Sequence, residues 1–212
     1  MVQPVFYLLA GPNGAGKSTL FHATVAAGLI PAEAPFVNAD LYEATHLKHI
    51  KNPVTRSEQA RQWADARRIE LLRTGQSFVS ETVFSHESKL ALIEQAQGLG
   101  FAVVLLVVCL DDPQCLLKRV RQRVSEGGHD VPAERILARY PRTLQYLSRA
   151  VRQADMAFLY DTGTAGKNHI SKPLRVAVCR GTATTKLVEP LPLWAKQVLQ
   201  VDADRISGHR TL

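Results

Sequence analysis

The sequence predicts an α/β fold in which a mainly parallel sheet lies between two layers of helices, with a helical lid and an appended C-terminal β-hairpin. Three observations carry that expectation. Short apolar runs alternate with helix-length segments through the first three quarters of the chain, the pattern of parallel strands joined by crossovers. The longest run, residues 101–110, is almost wholly apolar, as a strand buried on both faces must be. The first run ends in a glycine-rich octapeptide that opens straight into a helical pattern.

The elements follow in order. Residues 5–10 are apolar, β-branched and aromatic and read as the first strand; 19–27 read as a helix that stops at Gly28. A short strand at 36–38 follows Pro35, then helical patterns at 40–49 and 57–73, the second ending at Gly75. A third strand occupies 77–81, and a helix at 86–97 stops at Gly98-Leu99-Gly100. The strand 101–110 leads to a helix at 113–124. Residues 125–132 are a Gly-Gly break, and Pro132 suits the first turn of a helix running to Ala154. Residues 156–161 make the fifth strand. Beyond it, 162–172 read as a Gly-, Thr- and Lys-rich loop. Apolar stretches at 174–178 and 185–188 flank Arg180-Gly181-Thr182-Ala183 as an antiparallel hairpin. A short helix is expected at 193–201, with a frayed polar end at 202–212. Residues 1–162 are therefore expected to form the core with a lid at about 118–142, and 163–212 to pack on the same domain.

With 212 residues and 46% hydrophobic content, the chain can bury a sizeable core. No segment approaches the roughly 20 consecutive apolar residues of a membrane span. The first strand begins almost at the N-terminus, which leaves no room for a secretory signal. Cys109, Cys115 and Cys179 are odd in number and lack C-x-x-C spacing, which argues against a disulfide framework or zinc site. A reducing cytoplasm is the expected location. The net charge of +7 is concentrated at Lys118, Arg119, Arg121 and Arg123, and again at Arg135, Arg139 and Arg142. No aromatic-rich platform accompanies these cations, so nucleic acid is not the expected partner. Neutralising a triphosphate and its transition state needs such cations.

The octapeptide is Gly11-Pro12-Asn13-Gly14-Ala15-Gly16-Lys17-Ser18, a full match to the phosphate-binding loop G-x-x-x-x-G-K-[ST], with Thr19 next in the helix. Strand, loop and helix stand in the order of a P-loop NTPase sandwich. Backbone N–H groups of such a loop point at phosphate oxygens, and the helix adds its positive end. Lys17 is expected to bridge the β- and γ-phosphates of a nucleoside triphosphate, and the Ser18 hydroxyl to hold Mg²⁺. Asn38-Ala39-Asp40 ends the second strand on the same rim. Asp40 reads equally as the base for an acceptor hydroxyl or as a cap of the next helix. Glu81, in Ser80-Glu81-Thr82, reads as an acceptor-binding acid or a solvated strand-end group. Asp111 and Asp112 resemble a Walker B ending, but Asp111-Asp112-Pro113 favours a turn and cap. Arg119 and Arg123 share one helix face before the Gly-Gly break, which suits a lid closing on phosphate. His129, Arg135 and Arg139 are secondary lid candidates. His22, His46, His49 and His86 have no metal-ligand spacing.

In order, Gly11 to Ser18, Asn38-Ala39-Asp40, Ser80-Glu81-Thr82 and the arginine-rich segment before Gly127-Gly128 resemble the zeta toxin family of P-loop kinases, over residues 3–162. The resemblance implies phosphorylation of the 3′-hydroxyl of the amino sugar of UDP-N-acetylglucosamine by ATP or GTP with Mg²⁺. It also implies a small antitoxin that blocks the nucleotide site. Asp40 then matches the general base, Glu81 the substrate-binding acid flanked by Asn38 and Thr82, and Lys17 and Ser18 the nucleotide and metal contacts. Arg119 or Arg123 matches the first lid arginine. The chain departs at the second, where His129 stands and Arg135 and Arg139 fall later. The helical insert at 55–73 and the hairpin resemble a branch of predicted ATPases attached to this family. Two other readings of the loop are a polynucleotide 5′-kinase and a nucleotide-dependent switch acting on a protein partner.

Overall fold

Burial along the first strand, β1 (Val5–Ala10), shows what builds the core. Phe6, Leu8 and Ala10 pack into one apolar cluster, Tyr7 and Leu9 into a second on the opposite face. The period of two along a strand sends alternate side chains to opposite faces, so an unbroken apolar run needs cover on both. β4 (Ala102–Cys109) divides in the same way, with Val103, Leu105 and Val107 on one side and Leu106 and Val108 on the other. The computed structural model describes residues 2–128, 130–163, 172–181 and 183–200. The expected features on His129, Thr182, residues 164–171 and residues 201–212 lie outside the described residues.

Among the described residues seven strands form one sheet, in the order β2 (Phe36–Val37), β3 (Phe78–Thr82), β1, β4, β5 (Met156–Asp161), β6 (Leu174–Arg180), β7 (Ala183–Lys186). The first five are mutually parallel; β6 and β7 add antiparallel. Parallel register aligns Ala10 with Thr82 and Val107, so the carboxyl ends of β1, β3 and β4 share one rim. That rim is where ligands of open α/β sheets collect.

The helices are α1 (Lys17–Ala26), α2 (Ala39–His46), α3 (Pro53–Thr74), α4 (Ser88–Gly98), α5 (Pro113–Ser125), α6 (Ala133–Gln153) and α7 (Leu193–Gln200). Three of the boundaries that differ from expectation have a local cause. α3 starts at Pro53 because Asn52 accepts from the N–H groups of Val54 and Thr55 at its cap and Pro53 needs no N–H partner there. β2 stops at Val37, since Asn38 already caps α2. β7 lies at 183–186 rather than 185–188, paired Arg180 to Ala183 across the turn. α6 also runs through Pro141, which has no N–H to close the helical bond there.

The C-terminal helix is fastened to the rim by two carboxylates. Asp111 accepts from the backbone N–H groups of Leu193 (3.1 Å) and Trp194 (2.7 Å), and so caps α7. The indole N–H of the buried Trp194 donates to Asp161 at 2.8 Å. Asp112 caps α5, accepting from Gln114 N–H. Both acids thus serve helix starts, the reading that the turn chemistry of Asp111-Asp112-Pro113 favoured, although Asp111 serves a helix 82 residues away. Asp111→Ala is expected to cost about 1–2 kcal/mol, the worth of a good N-cap. Urea unfolding followed through Trp194 fluorescence would measure it, and an unchanged midpoint would show that α7 is held by packing alone.

Candidate active site

The loop between β1 and α1 curls under the rim. Gly11 comes so close to the neighbouring strand that a Cβ would lie 2.0 Å from the Val108 carbonyl oxygen. Gly14 has φ of +81°, and a Cβ there would stand 2.7 Å from Leu116 O. Sequence spacing marks these positions as glycine; the strand and α5 beneath the loop are the reason. Gly14→Ala combines an unfavourable backbone with a clash. It is expected to lower stability by about 1–3 kcal/mol and to weaken nucleotide binding. Thermal unfolding with and without Mg·ATP checks both effects, and a wild-type melting point would mean that the loop yields. Asn13 is buried, and its Oδ1 has no hydrogen-bond partner among the described residues.

Lys17, in the first turn of α1, folds its ammonium back over the loop. Nζ donates to the carbonyls of Gly11 (3.1 Å) and Pro12 (3.2 Å) and lies 3.6 Å from Glu81 Oε1. Glu81 Oε2 accepts from the Asn38 amide at 2.8 Å, and Asn38 Oδ1 accepts from Leu41 N–H to cap α2. One chain of contacts therefore links phosphate loop, β3 end, β2 end and α2. It brings together Lys17, Glu81 and Asn38, three of the candidate site residues. It also gives Asn38 the capping role that Asp40 had been offered as an alternative. Ser18 and Thr19 are exposed on the first turn of α1. Thr82 Oγ1 accepts from Phe84 N–H, and buried Phe84 has φ of +60°, an unusual conformation for a bulky residue, two positions beyond Thr82.

Asp40 projects from the first turn of α2 into a cleft of about 300 Å³. Glu43, Ala44, Lys48 and Arg56 line it from the α2–α3 side, and Gly127, Gly128 and Asp130 from the break between α5 and α6. Arg56 Nε donates to Glu43 at 2.9 Å, tying the two helices together. Buried Arg68 of α3 donates to Ser80 of β3 at 3.2 Å, which fixes the helical insert to the strand that carries Glu81. No sequence pattern flagged Arg56 or Arg68.

The two arginines expected on a lid separate. Arg119 donates to both the Thr162 hydroxyl (3.0 Å) and the Thr162 carbonyl (2.6 Å), and that hydroxyl donates to the loop carbonyl of Ala15 at 2.9 Å. Arg119 is thus fastened beside the phosphate loop. Arg123, one turn on, lies against the break: a Cβ on Gly128 would fall 2.6 Å from its Cγ. Arg135 and Arg139 stand on α6, where burial and then the charges of Arg135 and Arg142 pull Arg139's guanidinium below its ordinary value. Two of the thiols are shifted toward their neutral form. Burial pushes Cys109 up to about 12, and Cys115 is raised by its hydrogen bond to Asp112 and by desolvation.

A family model described as an AAA domain matches residues 7–145. The fold is shared with a chain of the AvrRxo1-ORF1:AvrRxo1-ORF2 complex with sulphate ions, at a TM-score of 0.70 and 20% identity over 92% of this chain and 64% of that one. The same complex with ATP gives 0.67 and 21% over 87% and 61%. The PezAT chromosomal toxin–antitoxin system of Streptococcus pneumoniae gives 0.64 and 15% over 98% and 87%. The chain thus spans less than two thirds of the AvrRxo1 chains it resembles. At these identities the likeness is one of fold alone. No curated protein matches the sequence. No helix among the described residues is long and apolar enough to cross a membrane.

Proposed function

Since the chain belongs to the AAA domain family, we propose that it is a phosphotransferase that moves the γ-phosphate of ATP or GTP to a hydroxyl of a small acceptor, a sugar nucleotide such as UDP-N-acetylglucosamine. The observation that carries this reading is the cleft that sets Asp40 across from the Gly127-Gly128 turn, two residues along the chain from Asn38, whose amide holds Glu81 beside Lys17. A switch has no need of an acceptor pocket built around a carboxylate.

In this reading the loop amides and the α1 N-terminus hold the phosphates, and Lys17 swings from its carbonyl partners to the β- and γ-phosphates. Ser18 is an exposed hydroxyl oxygen, a donor that fits magnesium taking its other ligands from phosphate and water. When bound, that ion neutralises charge building between the β- and γ-phosphates. Asp40 accepts the proton of the acceptor hydroxyl as its oxygen attacks the γ-phosphorus; the bond to the bridging oxygen breaks and the nucleoside diphosphate leaves. Glu81, released by Lys17, takes acceptor hydrogen bonds, with Asn38 and Thr82 at its sides. Arg123 covers the transferred group from the lid, and Arg119 supports the loop from Thr162. A small antitoxin as partner is supported by the likeness to a toxin–antitoxin fold, and a cytoplasmic site by three free thiols.

The test is transfer of labelled γ-phosphate from Mg·ATP to UDP-N-acetylglucosamine by the purified protein. A labelled sugar nucleotide supports the full reading. ATP binding with no transfer to this or other hydroxyl acceptors, oligonucleotide 5′ ends included, overturns it.

A further inference from the structure

β5 ends in two buried polar residues that face opposite ways. Asp161 and Thr162 are 5% and 2% exposed, and successive residues of an extended strand point to opposite faces. On one face the Asp161 carboxylate meets α7. Its Oδ1 accepts from the Trp194 indole at 2.8 Å, and its Oδ2 from Gly163 N–H at 2.9 Å. On the other face the Thr162 hydroxyl meets the phosphate loop. It accepts from Arg119 Nη1 at 3.0 Å and has one proton to give. Ala15 O, at 2.9 Å against 3.5 Å for Cys109 O, is the nearer acceptor. Trp194 belongs to the apolar cluster on one side of the sheet and Ala15 to the cluster on the other. The path Trp194–Asp161–Thr162–Ala15 therefore crosses the sheet at its rim, with only β5 backbone between the two middle side chains.

We propose that Asp161 and Trp194 are positioning residues for the phosphate loop, acting through Thr162, so that the C-terminal helix sets nucleotide affinity. The proposal rests on the reading of that loop as the nucleotide site. The peptide plane supplies the mechanism. A trans peptide unit holds its C=O and N–H in one plane, pointing opposite ways. Ala15 O and Gly16 N–H belong to one such unit. A hydroxyl that grips the carbonyl from behind turns that N–H the other way, to the side on which the loop receives phosphate. The Thr162 methyl packs against the same unit, 3.8 Å from where a Cβ on Gly16 would lie. Thr162 itself stands one residue past the end of β5, and its N–H still donates to Cys109 O at 3.0 Å. What holds the preceding side chain is the indole, and α7 delivers that indole from a fixed start, because Asp111 at the end of β4 caps it. Arg119 completes the clasp, donating to the Thr162 carbonyl at 2.6 Å as well.

Mg·ADP affinity by isothermal titration calorimetry, beside urea unfolding followed by circular dichroism, tests the relay. Thr162→Val keeps the shape of the side chain and removes the hydroxyl. It is expected to weaken Mg·ADP binding by about tenfold, the scale of one hydrogen bond. Thr162→Ser restores the hydroxyl and is expected to bind within about twofold of wild type, a rescue that packing of the methyl would not give. Trp194→Phe removes the indole N–H and is expected to weaken Mg·ADP by about three- to fivefold. The double variant Thr162→Val with Trp194→Phe is then expected to bind no more weakly than Thr162→Val alone, since Trp194 acts only through that hydroxyl. Asp161→Asn, whose single oxygen cannot accept both N–H groups as two carboxylate oxygens do, weakens binding in the same direction. It stands in should Trp194→Phe fail to fold. Wild-type affinity in Trp194→Phe and Asp161→Asn, with the loss confined to the urea midpoint, makes both residues structural and overturns the relay. Losses that add in the double variant overturn it too, although nucleotide still binds. A wild-type protein that binds no Mg·ADP overturns the phosphate-loop reading instead, and the relay falls with it.

Discussion

Asp40→Asn is expected to reduce phosphate transfer by about 10²–10⁴-fold, the range of a lost general base, while nucleotide affinity stays at the wild-type level. The structure makes this substitution unusually clean. Asn38, not Asp40, accepts the N–H that caps α2, so the amide leaves the helix start intact. Asp40 touches none of the residues that shape the loop around Lys17, whose partners are Gly11, Pro12 and Glu81. What the helix loses is one negative charge in its first turn, worth about 0.3–1 kcal/mol against the macrodipole. The expected rate loss corresponds to about 3–5 kcal/mol of transition-state stabilisation, which is larger than any such helix effect. Steady-state transfer assays beside nucleotide titrations separate the two. Wild-type turnover in the variant would reduce Asp40 to a dipole partner and move the search for a base to Glu43 or Asp130 in the same cleft.

The phosphate loop, the alternation of strands and helices that makes a mainly parallel sheet, and the acids at two strand ends were legible because each is written locally. Eight consecutive residues specify the loop, and a buried parallel strand announces itself by an apolar run. α3 illustrates a signal that was present and undervalued: Asn52-Pro53 is a cap followed by proline at the first helical position. β7 illustrates a signal that was absent. All four of its residues are exposed, so no apolar alternation marks the register, and the turn after Arg180 sets it instead.

Long-range side-chain partners were the least legible part of the site. Glu81 could be proposed as a functional acid, but not as the anchor of an amide 43 residues away. Arg119 and Arg123 look interchangeable on a helical wheel. They diverge because Thr162, at the end of β5, stands within reach of the first. Asp111 shows the same limit, since a carboxylate in a turn reads as a local cap until the C-terminal helix arrives to use it. Aromatic stacking between Tyr42 and Trp63 likewise appears only when α2 and α3 pack.

Lys17→Ala is expected to abolish measurable transfer, and it is informative because Lys17 has two jobs. As the loop's cation it would neutralise the γ-phosphate in the transition state, a contribution on the order of 10²–10³-fold in rate for one such electrostatic contact. As a buried partner of Glu81, with exposures of 7% and 14%, it also balances a carboxylate. Removing one member of a buried pair leaves the other charge uncompensated and destabilises the protein. Asn38 still donates to Glu81, which moderates that cost without removing it. The two roles separate in a double-mutant cycle with Glu81→Gln. The double variant is expected to regain the stability lost in Lys17→Ala, because no unpaired carboxylate remains, and to stay inactive, because no cation reaches the phosphate. Urea unfolding and labelled-phosphate transfer on the four proteins measure the cycle. If Lys17→Ala transfers phosphate at the wild-type rate while losing stability, Lys17 is a strut for Gly11, Pro12 and Glu81, and the phosphate-loop assignment fails with it.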